Sequence, residues 1–520
     1  MKKNYAKVCI IGAGAAGCVL ARELTEKGVP VIFLEAGKLW DPMKDYWEGS
    51  KSKYYVDREL EPYSTGPNGF SLSRIRGVGG QTIVYNNVSL RYSKFDFKLK
   101  QFKGVGEDWP ISYDELEPYY TKVEKDLGVS GGRENLEDLP SGHYLPPLKP
   151  NVGEKILLNA CKKLGIKMIP TRKTILTRSY MNRPSCIYCT RCDLGCRIRA
   201  KGQVDHTHIP NALATGKCDL RTEVMVKEIR TNRRGKVKYV IYIDKIAKKR
   251  IKVKADVVVL SAGAIESPRL LLNSENNLFP KGLANNNGIV GKYLMENTLI
   301  GMAGTIPIKT KEKPKPWGTG TGDNTLIPEF YRKGFQFQPG MDKNPLPSLA
   351  KRLHGFGKPH KDQMRQLFLD HVVVSLAGFG EILPNKENRV EIDPQLKDYW
   401  GISAPKIYMN IGNYEKEIIA QMLKQGNEIF EAAGSEKTFV IIKNYHPGIV
   451  VHQVGTCRMG NDPATSVVNK YCQAHEVKNL FVVDGSCFVT CPSKNPALTI
   501  QALAARSADY IIQEMKRGNL

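Results

Sequence analysis

At 520 residues the chain is long enough for two or three domains around a large core, and 41% hydrophobic with 25% charged residues is a globular balance, neither disordered nor fibrous. No apolar run reaches the roughly 18 to 20 residues of a membrane span. The formal net charge of +25 is carried by dispersed lysines, with local runs at Lys245 to Lys254 and Lys309 to Lys315. No nucleic-acid-binding module accompanies them, so they read as solvated faces, with an acidic redox partner as the alternative. The basic start, Met1-Lys2-Lys3-Asn4-Tyr5-Ala6, runs straight into a strand without a cleavable apolar segment. That predicts a cytoplasmic protein, or a periplasmic one if a signal-bearing partner exports it.

The first element is the strand Val8 to Ile11, an apolar run of the kind that a parallel strand buried on both faces requires. It enters Gly12-Ala13-Gly14-Ala15-Ala16-Gly17 and a helix to Lys27, then the strand Val31 to Leu34, which ends at Glu35. Gly12 permits the tight turn, Gly14 lets a pyrophosphate approach the backbone, and Gly17 lets helix pack on strand. The helix N-terminus offers free N–H groups to phosphates. Glu35 is placed to accept from ribose hydroxyls.

A polar, aromatic stretch follows to about residue 73 and reads as a surface excursion. Then comes Arg74-Ile75-Arg76-Gly77-Val78-Gly79-Gly80, whose glycines suggest backbone close to a ligand; Asn86 and Asn87 follow as polar groups in an apolar segment. Helices are predicted over residues 107 to 128 and 152 to 164, with a loop at 131 to 151. Next are a helix Ile209 to Ala214, a strand Leu220 to Val226 and a hairpin over 237 to 243 and 250 to 253. The buried strand Asp256 to Leu260 ends in Ser261-Ala262-Gly263, and a helix Ala264 to Asn273 follows. Residues 300 to 445 change character: loops at 310 to 322 and 338 to 360, strands at 371 to 376 and 389 to 393, and a helix from about 415 to 432. A last strand, Leu480 to Val483, precedes Asp484-Gly485, and the final helix runs from Pro496 to about Lys516.

Four stretches resemble the glucose-methanol-choline family of flavin oxidoreductases. They are Gly12-x-Gly14-x-x-Gly17 with Glu35; Arg76-Gly77-Val78-Gly79-Gly80; Gly263 to Ser274; and His452-Gln453-Val454-Gly455-Thr456-Cys457-Arg458-Met459-Gly460 with Asp484-Gly485 and Asn495-Pro496. The second departs from the family signature at Gln81 and Tyr85, which points to a branch similar to pyranose oxidases and the large subunits of gluconate and glucoside dehydrogenases. The resemblance implies an α/β fold: a discontinuous Rossmann-like FAD-binding domain over 1–100, 201–300 and 446–520, a linker region with a Cys-rich loop over 101–200, and a mixed α+β substrate domain over 301–445.

It implies non-covalent FAD held by Gly12, Gly14, Gly17, Glu35, Arg76, Gly79, Gly80, Val224, Ala262, Gly263, Asp484 and Gly485. Asn86 and Asn87 either bond the flavin edge or cap a turn. The family chemistry is hydride transfer from a substrate C–H to flavin N5 while a neutral imidazole takes the hydroxyl proton. The matching base is His452 and its partner Asn495; His446 is the rival.

Cys186, Cys189, Cys192 and Cys196 have the spacing of a bacterial ferredoxin loop, although Arg197 replaces the usual Pro. An iron–sulfur cluster, zinc, a local disulfide and free thiols are the alternatives. The leading expectation is an FAD-dependent dehydrogenase of a secondary hydroxyl on a sugar or glycoside, passing electrons to an acceptor subunit, a quinone or another non-NAD acceptor. A peroxide-producing oxidase, a lyase with structural FAD and a non-enzymatic electron carrier are the others.

Overall fold

A computed structural model describes residues 4–47, 51–307, 324–341, 355–365, 371–442 and 445–520. The first apolar run becomes strand β1 (Tyr5–Ile11), the middle of a parallel sheet. β2 (Val31–Leu34) and then β3 (Cys218–Arg221) lie to one side; on the other lie the upper half of β6 (Lys249–Leu260) and β13 (Leu480–Val482). Three regions far apart in sequence therefore build one sheet. Its central residues, Val8 to Ile10, Val31 to Phe33 and Val257 to Leu260, are wholly buried, which is why their sequences run apolar instead of alternating.

Helix α1 (Ala15–Glu26) and the C-terminal helix α6 (Ala497–Lys516) pack together, and α2 (Tyr113–Leu127) packs against α6. α2 starts at a capping box in which Ser112 accepts from the Glu115 N–H while Glu115 accepts from the Ser112 N–H. β4 (Val224–Thr231), β5 (Val237–Asp244) and the lower half of β6 form an antiparallel flap. The strand expected over Leu220 to Val226 is therefore two strands with different neighbours. The break falls at Glu223, whose φ of 58° turns the chain from the parallel sheet into the flap. Conversely, the expected second hairpin strand and the strand Asp256 to Leu260 are one continuous element, β6.

A second sheet is antiparallel, in the order β8 (Phe335–Met341), β9 (His371–Gly380), β7 (Thr298–Pro307), β12 (Lys437–Ile442). Alternation along β9 sends Val372, Val374 and Leu376 to a core shared with α3 (Val152–Lys163) and α5 (Asn413–Ala432), and sends Phe379 to the opposite face. β10 (Arg389–Lys397) and β11 (Ser403–Tyr408) pair antiparallel beside helix α4 (Gly263–Leu272). The lysine run Lys309 to Lys315 and the loop expected at 310 to 322 lie outside the described residues, as do residues 342–354 of the loop expected at 338 to 360. Among the described residues no helix is long and apolar enough to cross a membrane.

Candidate active site

A cavity of about 610 Å³ runs from the carboxyl ends of β1 and β2 to the face of the antiparallel sheet that carries Phe379. Its two ends are made differently.

At the first end the wall is largely backbone. Gly14 precedes the first turn of α1 and Gly263 begins α4, and both glycines line the cavity. A side chain on Gly14 would meet no protein atom within 4 Å, so it would project into the cavity. A Cβ on Gly17 would instead lie 2.0 Å from the Gly12 carbonyl oxygen, so Gly17 serves helix packing and does not line the cavity. The same split separates Gly80, which lines the cavity, from Gly79, which sits in the turn at φ 108° and donates its N–H to the Ala13 carbonyl. Two helix N-termini opening on a glycine-lined space form an anion cradle.

The acidic residues at this end bind the loops together. Glu35 Oε2 accepts from the Ala13 N–H at 2.8 Å, and its Oε1 accepts from the N–H groups of Gly37 at 2.8 Å and Gly77 at 3.0 Å. Asp484 Oδ2 accepts from the Gly263 N–H and the Ser267 hydroxyl, and Oδ1 from the N–H and hydroxyl of Ser486, while Gly485 beside it lines the cavity. Arg76 faces the cavity but pairs with Glu61 at 2.6 Å and Glu266 at 3.2 Å. Burial opposes ionisation of Glu266, yet Arg76, Arg74 and Arg269 together hold its carboxyl well below the usual range. Ala262 and Val224 also line the cavity, but the Val224 N–H is already taken by the Glu35 carbonyl at 2.9 Å.

Midway along the wall Asn86 and Asn87 both line the cavity. Asn86 is exposed; Asn87 is fully buried at φ 69°, and neither its Oδ1 nor its Nδ2 has a hydrogen-bond partner among the described residues. A buried amide left unpaired on a cavity wall is costly unless a ligand supplies the partners. The donor–acceptor edge of a flavin does so, and with the glycine-lined cradle these residues fit FAD.

The far end is made of side chains. His452 Nδ1 lies 2.8 Å from Asn297 Oδ1, and His452 Nε2 lies 3.3 Å from Asn495 Nδ2. Gln338 Nε2 donates to Asn495 Oδ1 at 2.9 Å. Phe379 stacks on the imidazole, with ring centroids 5.8 Å apart. Burial lowers His452 to about 4, so the imidazole is neutral at pH 7. The preceding loop is held by Glu296, which accepts from the Tyr445 hydroxyl at 2.7 Å, from the Gly448 N–H and from Gln453 Nε2 at 3.0 Å; burial lifts this carboxyl to about 7. His446 is not among the cavity-lining residues, whereas His452 and Asn495 both are. Asn297 and Gln338 were not singled out as site residues from the sequence. The motif position of His452 was the only signal pointing toward them.

The Cys-rich loop forms a side wall through Thr190, Cys192 and Asp193. Among the described residues no group of three or more His, Cys, Asp or Glu side chains is arranged to hold a metal ion, so Cys186, Cys189, Cys192 and Cys196 do not fit an iron–sulfur or zinc site here. Left-handed residues at Tyr188 and Thr190 and a short 3-10 turn over Cys192–Leu194 shape this loop, and Cys196 is buried while the other three thiols are half-buried. Burial pushes the Cys186 thiol up to about 12. All four are free thiols.

A parallel sheet with a glycine-lined dinucleotide cradle, facing an antiparallel sheet with a neutral imidazole between them, defines an FAD-dependent oxidoreductase. Family models described as GMC oxidoreductase match residues 6–297 and 384–504. The chain belongs to the GMC oxidoreductase family. It is 34% identical to 2-methyl-1,2-propanediol dehydrogenase of Mycolicibacterium austroafricanum, over 97% of this chain and 94% of that one. It is 28% identical to the fructose dehydrogenase large subunit of Gluconobacter japonicus, over 99% of both. Pyridoxine 4-oxidase from Mesorbium loti superposes with a TM-score of 0.70 at 17% identity, over 98% of this chain and 99% of that one, and so shares the fold.

Proposed function

We propose that the enzyme oxidises a hydroxyl-bearing carbon of a small polyol, sugar or glycoside, with His452 as the base. FAD, when bound along the cavity, supplies the hydride acceptor. The chain's own part is to hold the hydroxyl and remove its proton. The observation that carries this reading is the neutral His452 imidazole paired with Asn495 at the cavity's polar end. Nε2 accepts the hydroxyl proton as the C–H bond breaks, and Asn495 Nδ2 orients the same oxygen and stabilises its developing charge. Phe379 screens the imidazole from water on one face.

Support for a polyhydroxylated substrate comes from the amide side chains of Gln338 and Asn495 beside His452 and from relatives named for a diol and for fructose. The test is anaerobic reduction of the bound FAD by 2-methyl-1,2-propanediol, fructose, gluconate and simple glucosides in turn. At least one is expected to bleach the flavin; a lyase or an electron carrier would leave it oxidised with all of them. The electron acceptor in this reading is a quinone or a partner subunit. Turnover with a soluble quinone under anaerobic conditions supports it, and fast peroxide formation in air identifies an oxidase instead. Iron and acid-labile sulfide per FAD test the reading of Cys186, Cys189, Cys192 and Cys196 as structural thiols: FAD without iron is expected, and stoichiometric iron would overturn it.

A further inference from the structure

We infer that Asn297 is a positioning residue that sets which nitrogen of His452 carries the proton. Asn297 is fully buried, directly before β7. Its Nδ2 faces two carbonyl oxygens, Pro492 at 2.7 Å and Gly380 at 3.2 Å. Carbonyls only accept, so the amide nitrogen must point at them and Oδ1 must point at His452. That oxygen also only accepts, so at 2.8 Å it requires a hydrogen on His452 Nδ1. A neutral imidazole has one hydrogen. Nε2 is therefore the lone-pair nitrogen, and it is the one beside Asn495.

The arrangement is over-determined. The Gly380 carbonyl ends the strand that carries Phe379, and the Pro492 carbonyl belongs to the segment that carries Asn495. One amide thus ties the imidazole to the two elements that bring its other neighbours. The adjacent residue, Glu296, holds the loop on both sides of His452 through Tyr445, Gly448 and Gln453, so the ring is fixed in place by one residue and in tautomer by the next. Without the Asn297 oxygen a buried neutral imidazole is free to place its hydrogen on either nitrogen. Molecules with the hydrogen on Nε2 cannot accept from substrate.

This inference rests on His452 being the base, but its first readout needs no substrate. In the FAD-loaded enzyme with histidine rings labelled with 15N, the His452 signals are assigned by their loss in His452→Gln. The expected wild-type pattern is a protonated Nδ1 and an unprotonated Nε2 near neutral pH. Asn297→Leu is expected to mix the two tautomers and to slow anaerobic flavin reduction about 10- to 100-fold with little change in substrate affinity. Asn297→Asp, of the same shape, restores the Nδ1 hydrogen. The Pro492 and Gly380 carbonyls that face its second oxygen only accept, so that oxygen carries the proton and the side chain acts as a neutral acid. An Nδ1-protonated ring in Asn297→Leu, or a reduction rate within threefold of wild type, would overturn the inference. Fast reduction by His452→Ala would instead remove the base assignment while leaving the tautomer result intact.

Discussion

The two ends of the cavity follow opposite rules. Near Gly12, Gly14 and Gly263 the ligand surface is backbone, and the charged side chains present spend themselves on one another or on loop N–H groups. Near His452 the surface is side chains, each supplied by a different segment, Gln338 on β8, Phe379 on β9 and Asn495 before α6, with Asn297 before β7 holding His452 from behind. A cradle for a constant group such as a pyrophosphate needs only donors at fixed positions, which helix ends provide. Acid–base chemistry needs a polar group held in one orientation, and that takes convergent packing from several elements.

Substitutions at the two ends should therefore fail in different ways. The largest effect is expected from Gly14→Val, whose side chain fills the phosphate space: the protein should purify without FAD, checked by flavin absorbance per chain. A yellow, fully loaded Gly14→Val enzyme would break the contrast at its backbone end. At the other end Gln338→Leu should keep full FAD content while losing the donor that orients Asn495, with flavin reduction about tenfold slower in anaerobic stopped flow.

The smallest and most specific effect is in the pH profile. Because His452 is lowered to about 4 from 6.5, the native imidazole stays basic as pH falls through 6.5, so no acid limb belongs to it there. Glu296, lifted to about 7, ionises near neutrality, and ionisation completes its bonds to Tyr445 and Gln453. Flavin reduction should thus rise through about pH 7, and Glu296→Gln should flatten that rise. A limb at 6.5 unmoved by Glu296→Gln would place the titration on the imidazole.

The same contrast governs what could be read from the sequence. The backbone end is local: strand, glycine turn, helix and Glu35 lie on one continuous stretch, and the order of residue types states the geometry. Even there the sequence left part of the side chains' bonding unseen. Glu35, Asp484 and Arg76 proved to be bound to neighbouring loops, because bonds to backbone groups that only folding brings near are invisible in a chain read one stretch at a time. Asn86 and Asn87 both line the cavity, but only Asn87, in a left-handed conformation, is fully buried there.

The side-chain end is non-local. Asn297 and His452 are 155 positions apart, and Gln338 and Asn495 are 157 apart, so no spacing rule connects them. His452 and Asn495 were found through the family motif alone. The Cys-rich loop is the converse case: its spacing is regular, but the turns at Tyr188, Thr190 and Cys192–Leu194 do not gather the thiols into a ligand set.

The most direct test of the account is anaerobic flavin reduction in FAD-loaded His452→Ala, compared with wild type on a hydroxyl substrate that bleaches the wild-type flavin. Full FAD content with reduction slowed by about 100- to 10,000-fold is the predicted result. Full FAD content with reduction near the wild-type rate would contradict it, and the base would have to be sought elsewhere in the cavity.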